Sequence, residues 1–147
     1  MTGTPPAPGD VDGSPESDAI SQRLALGQQT RREVLGDAHV DRSLARASSF
    51  AQPIQDLVTE YCWGAVWTRE GLDRRTRSLL NLAMLTALNR GHEFAVHVRG
   101  AITNGCTVEE IQEVLLQTSI YVGVPASLEA FRIAEKVLNE LTEEASP

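Results

Sequence analysis

From residue 19 onward the apolar positions recur at three- and four-residue intervals, and no run alternates with the period of two that a half-buried strand requires. The pattern predicts helix after helix. A first helix covers about 19–35 and stops at Gly36, and Asp37 can cap a short helix through about Ala47. Pro53 suits the first turn of the next helix, which carries Ile54, Leu57, Val58 and Tyr61 toward Trp63 and Trp67. Gly71 interrupts the chain, and Asp73 caps the strongest helix, about 74–90. Its run LLNLAMLTAL is apolar nearly all round, so it is expected to be packed on every side. Gly91 separates it from a helix over about 92–104, closed by Gly105. Thr107 and Glu110 form a capping box for a helix over about 108–122, and Gly123 and Pro125 precede a last helix over about 126–142. The expected fold is all-α, a single-domain bundle of six or seven helices with no internal repeat.

The first twenty residues break this pattern. They hold four of the seven prolines, together with Asp10, Asp12, Glu16 and Asp18 and no Lys or Arg. Such a segment buries too little apolar surface to offset its ordering entropy, so 1–20 is expected to be a disordered acidic tail and 21–147 the helical domain. The net charge of −7 argues against a nucleic-acid partner. No run approaches the roughly 18 apolar residues of a membrane span, and the start lacks the basic and apolar regions of a secretory signal. Cys62 and Cys106 are too few for a disulfide framework, and no Cys/His group has zinc spacing. The expectation is a reduced cytoplasmic protein without a metal. Of the thirteen basic residues only Lys136 is not an arginine, so an anion site here would be built from guanidinium groups, which match planar carboxylates.

Two segments carry most of the candidate chemistry. In Arg90-Gly-His-Glu93-Phe-Ala-Val-His97-Val-Arg99, Glu93 and His97 stand at i and i+4 on one helix face, with Gly100, Ala101 and Asn104 along the same stripe. A carboxylate beside an imidazole fixes its tautomer and raises its pKa, which suits proton transfer near neutral pH. The same spacing also describes a surface pair that stabilises a helix by a few tenths of a kcal/mol. In Asp73-Arg74-Arg75-Thr76-Arg77, three arginines oppose the dipole of the helix they open and so call for partners. The stripe of Leu80, Ala83, Met84 and Ala87 extends back to Arg77, which points it toward the packed side, whereas Arg74 faces water. Its partner is a carboxylate of the protein or of a ligand. His39 sits between Asp37 and Asp41 as a solvated, interface or site histidine. Gln117 and Tyr121, again i and i+4, either present an amide and a phenol to a cavity or satisfy a core. Trp63 and Trp67 read as packing.

Four segments together resemble the carboxymuconolactone decarboxylase family: RREVLGDAHVDRS (31–43), YCWGAVWTREGLDRRTRSLLNLAML (61–85), EFAVHVRGAITNG (93–105) and EEIQEVLLQTSIYVGVPASLEAFRIAEKVL (109–138). The resemblance runs from about Arg31 to about Glu140 and leaves out the tail. It implies the AhpD-like all-α fold, no metal or organic cofactor, and a ring-like homo-oligomer, often a hexamer. Related alkylhydroperoxidases of the AhpD type carry Cys-x-x-Cys where this chain has Arg90 and Glu93, so no dithiol–disulfide cycle is available here. The implied activity is decarboxylation of the dicarboxylate 4-carboxymuconolactone to 3-oxoadipate enol-lactone and CO2 in protocatechuate catabolism (the β-ketoadipate pathway). On that reading His97, oriented by Glu93, transfers the proton. Arg75, Arg77 and Arg99 are the candidates for the carboxylates, and His39 is a reserve acid or binding group. Gln117 and Tyr121 are candidates at the lactone oxygen. The alternatives are a family member acting on another unsaturated lactone or β-keto acid, and a non-catalytic oligomeric binding protein.

Overall fold

Ser14 opens the first helix by accepting the Ser17 N–H on its hydroxyl at 3.3 Å, with Pro15 in the first turn and Glu16 and Asp18 at the positive end of the dipole. The structure, a computed structural model, describes residues 14–146. Helix α1 spans Pro15–Leu35, so the expected tail is corrected over 15–20: proline pre-sets the helical φ there, and the acids that suggested disorder suit a helix start. The rest of that expectation, 1–13, lies outside the described residues.

Gly36, at φ 83°, turns the chain into α2 (Asp37–Ala45), and after a loop α3 (Gln52–Leu57) runs unbroken into a π-helix over Val58–Val66. The Trp67 N–H donates to the Cys62 carbonyl five residues back, at 2.9 Å. Asp73 caps α4 (Arg74–Ala87) by accepting the Thr76 N–H at 2.7 Å. Asn89 adopts φ 54° and ends that helix three residues before the predicted boundary, so Gly91 becomes the first residue of α5 (Gly91–Thr103). The capping box forms as predicted: Thr107 accepts the Glu110 N–H at 3.2 Å, Glu110 accepts the Thr107 N–H at 2.9 Å, and α6 covers Val108–Val122. Helix α7 covers Val124–Glu144. Among the described residues there is no strand, and no helix is long and apolar enough to cross a membrane.

Helices α4–α7 bury one core around Leu82, Phe94, Val98, Ile111, Leu115 and Ala134. A second, smaller core of Val34, Trp63 and Trp67 lies where α1 crosses the π-helix. Helix α4 departs from expectation, since Leu80, Met84 and the capping Leu88 stay 46%, 51% and 66% exposed; the chain's own elements cover only one side of it.

The α1 crossing is made by glycine. A Cβ on Gly27 would come within 1.9 Å of the Thr59 carbonyl oxygen, and one on Gly64 within 2.2 Å of the Arg23 carbonyl oxygen. Backbone meets backbone at both points, a spacing at which Cα–H···O contacts form. An Arg23–Glu60 ion pair at 2.7 Å flanks the crossing. Gly27→Ala and Gly64→Ala should each therefore lower unfolding free energy in urea by about 2–4 kcal/mol, because no flexible side chain can yield. Gly71→Ala, with nothing within 4 Å of its Cβ, should shift it by about 0.5 kcal/mol or less.

Candidate functional site

Phe94 and Val98 seat α5 in the main core, and this turns His97 toward the second core. Gly100 lets the helix lie close to α1, its Cβ position 3.3 Å from a Val34 methyl. The His97 imidazole then lies nearly parallel to both indoles, 6.2 Å from Trp63 at 10° and 6.2 Å from Trp67 at 23°, while the indoles sit 4.8 Å apart. The Asn81 amide nitrogen on α4 lies 3.4 Å from Nδ1. An amide nitrogen only donates, so Nδ1 accepts and the ring proton sits on Nε2.

Burial in this slot pushes the imidazole pKa from 6.5 down to about 4, and the charge of His39 adds to the effect; Glu93 opposes both and loses. The expected upward shift is thus corrected. Glu93 is exposed one turn before His97, and no hydrogen bond joins them among the described residues. The group that orients the ring is Asn81, which the sequence reading missed. At neutral pH the imidazole is uncharged.

Beside this slot lies Arg31, only 6% exposed, on the buried stripe of α1 with Gly27, Thr30 and Val34. Its Nη1 donates to Gln55 Oε1 at 3.0 Å and Thr59 Oγ1 at 3.5 Å, its Nη2 to Ser43 Oγ at 3.1 Å, and its Nε has no partner. Among the described residues no carboxylate reaches it. Burial lowers its pKa, and it also depresses His39, whose half-buried imidazole is held down by its own burial and then by Arg31, Arg42 and His92. Cys62 next to it remains a thiol, since burial raises its pKa more than Arg31 lowers it.

Of the other sequence candidates, His39 and Arg99 line one cavity between α2, α5 and α7, and the rest are dispersed. Arg75 pairs with Glu110 at the start of α6, and Arg99 holds Glu140 at 2.6 Å and Glu144 at 3.0 Å on α7, so both charges are spent tying helices together. Arg77 is half-buried, as the stripe predicted, but it donates to the Arg69 carbonyl at 3.1 Å in the loop before α4, and among the described residues its Nε has no partner and no acid pairs with it. Gln117 and the 82% exposed Tyr121 line a shallow groove between α4 and α6 together with Leu80 and Met84, in a different part of the fold from His97. The signal that would have found Arg31 is its place on an apolar stripe.

Residues 52–136, more than half of the chain, match the model of the carboxymuconolactone decarboxylase family. A 4-carboxymuconolactone decarboxylase of Acinetobacter baylyi is 44% identical over 120 residues, 82% of this chain and 90% of that protein. A nitrosuccinic acid decarboxylase of Metarhizium robertsii is 41% identical over 128 residues, 86% of this chain and 90% of that protein. A further 4-carboxymuconolactone decarboxylase, from Pseudomonas putida, is 46% identical over 43 residues, 29% of this chain and 90% of that protein.

The depressed pKa of His97 makes a stability prediction. The unfolded chain takes up a proton there below about pH 6.5, whereas the folded chain refuses it until about pH 4. Stability present above pH 6.5 is therefore lost as the pH falls through that window, by about 3 kcal/mol for a shift of this size. In urea titrations at pH 7 and pH 4 the wild type should lose about 3 kcal/mol more than His97→Gln. Equal losses would mean that the folded imidazole protonates as freely as the unfolded one.

Proposed function

The chain belongs to the carboxymuconolactone decarboxylase family, and from that premise we propose that it converts 4-carboxymuconolactone to 3-oxoadipate enol-lactone and CO2. The observation that carries the reading is His97: a neutral imidazole, oriented by Asn81 and screened from water by two indoles, in a chain so similar to an enzyme of that name. The substrate supplies its own electron sink. As the C–C bond to the carboxylate breaks, its electron pair runs through the ring double bond onto the lactone carbonyl, so no organic cofactor is needed for that step. A nitro group accepts an electron pair in the same way, and the name of the Metarhizium relative fits the same demand: a carboxylated substrate that carries an acceptor.

The protein's part is to bind the carboxylates, favour charge on the lactone oxygen and deliver a proton to the ring carbon. Free His97 is uncharged, but a dicarboxylate arriving beside it favours the imidazolium; an opposite charge within 4–6 Å typically raises a pKa by 1–3 units. The charged ring then gives its proton to the dienolate carbon, forming C–H as N–H breaks, and recovers it from solvent. With 4-carboxymuconolactone generated in situ and its loss followed together with CO2 release, His97→Gln should lower kcat by about 10²–10⁴ with KM little changed. Asn81→Leu should cost a smaller factor. Turnover of His97→Gln within about threefold of wild type would assign the proton to another group, His39 first. Running nitrosuccinate beside the lactone separates the two specificities found in the family.

We also propose that the protein is a homo-oligomer larger than a dimer, with hexamer the expected state. Support comes from the uncovered side of α4 and from α6 and the start of α7, where Leu80, Met84, Leu88, Ile120, Tyr121 and Leu128 are exposed, Ile120 by 80%. Gln117 and Tyr121 then serve assembly rather than the lactone oxygen. Light scattering at micromolar concentration should give a mass above that of a dimer, and Ile120→Lys should reduce it; a monomer mass for the wild type would defeat the proposal. Both cysteines are free, which suits the reducing cytoplasm expected for this pathway.

A further inference from the structure

A cavity of about 400 Å³ lies between α2, the loop into α3 and the first turns of α5. His39, Arg42, Ser43 and Arg46 reach it from one side at i, i+3, i+4 and i+7; Gln55 and His92 face them from α3 and α5. Among the described residues no Asp or Glu lines it, although the chain carries a net charge of −7. Arg42 and Arg46 have no acidic partner among the described residues, whereas Arg23, Arg32, Arg74, Arg75, Arg99 and Arg132 all do. Arg31 stands behind the wall, and two of the groups it bonds, Ser43 and Gln55, are wall residues.

That arrangement fixes the polarity of the wall. A guanidinium only donates, so Ser43 Oγ and Gln55 Oε1 are both turned inward as acceptors. What remains free on each is a donor: the Ser43 hydroxyl hydrogen and the Gln55 NH2. Each of the two imidazoles carries at least one N–H in any protonation state. Every polar side chain that bounds the cavity can therefore offer a donor to its contents, and the two guanidinium groups add full positive charge in a geometry suited to a planar anion. A buried cation without a counter-ion, as Arg31 is, costs free energy until an anion comes near.

We propose that this cavity is the carboxylate subsite of the enzyme, with Arg42 and Arg46 as direct ligands and Arg31 as a positioning residue acting through Ser43 and Gln55. The assignment rests on the decarboxylase reading for its substrate, and His39, close enough for its protonation to oppose that of His97, links the subsite to the site of proton transfer. It moves carboxylate recognition away from Arg75 and Arg99, which are occupied, and from Arg77.

The test uses the full-length protein, with succinate as probe in calorimetry and 4-carboxymuconolactone in turnover. Arg42→Gln should weaken succinate at least tenfold and raise KM at least tenfold, with kcat changed less. Arg31→Met, checked for folding by circular dichroism and thermal melting, should lose succinate affinity and raise KM in the same way, whereas a purely structural role would lower the melting temperature and leave the affinity of the folded protein intact. Arg132→Gln, on exposed α7 surface, should change neither. Wild-type turnover with unaltered KM and succinate affinity in Arg42→Gln and Arg31→Met would overturn the subsite and leave the decarboxylase reading standing, as would a KM rise confined to Arg77→Gln. Succinate affinity lost in both variants of a protein that does not turn over the lactone would uphold the subsite and sink that reading. Inorganic phosphate displacing succinate at equal concentration would show a general anion pocket and overturn the assignment to carboxylate.

Discussion

Two glycines set the geometry on which the rest of the molecule depends. Gly27 and Gly64 bring the backbones of α1 and the π-helix into direct contact, closer than any side chain allows. Arg31 follows Gly27 by one turn and is carried to the Thr59 hydroxyl and the Gln55 amide. Trp63 precedes Gly64 and is pressed, with Trp67, toward α5, where the two indoles define the slot for His97. The i→i−5 bonding widens this segment locally, a feature that recurs at functional sites because it redirects side chains without breaking the helix. A crossing at ordinary helix separation would leave Arg31 in water and His97 without walls.

Arg31 is the clearest departure from the rules that govern the rest of the chain. Six arginines of the described residues hold carboxylates at or near the surface, where such pairs are inexpensive and worth little. Arg31 is buried among hydroxyl and amide oxygens, with Nε unpartnered. Neutral dipoles offset only part of the cost of taking a guanidinium out of water. A fold that buries a guanidinium without a carboxylate at one position, while leaving its other unpaired arginines nearer solvent, marks that position as one retained for binding.

The helical plan was legible because its punctuation is local. Asp73, the Thr107–Glu110 box, Gly36 and Gly123 each act within four residues of a helix end, and each stands where the pattern put it. The start of α1 was misjudged since proline and acids serve a helix's first turn as readily as a disordered tail. The π-helix left no signature: over nine residues the two hydrogen-bonding periods do not separate. The candidate site was legible in part. Spacing put Glu93 and His97 on one face, but burial, which decides the imidazole's pKa, comes from Trp63, Trp67 and Asn81, whose proximity is tertiary. The ion pairs of Arg75 and Arg99 were hidden for the same reason: their carboxylates lie 35 residues or more downstream, on α6 and α7.

The depressed pKa of His97 and the lowered pKa of Arg31 share one cause, burial among neutral groups. Burial makes an imidazolium unfavourable, and the ring stays neutral. Among the described residues the Arg31 guanidinium meets only neutral oxygens. A dicarboxylate relieves both: it supplies the counter-charge that Arg31, Arg42 and Arg46 lack, and it favours proton uptake at the ring that must later donate. In the proposed reaction the acid is therefore armed by the substrate that needs it. An imidazole that Glu93 kept charged would already be paired, and part of the interaction with the arriving anion would go into breaking that pair. The exposed position of Glu93 and the packing of His97 against the two indoles are what this order of events requires.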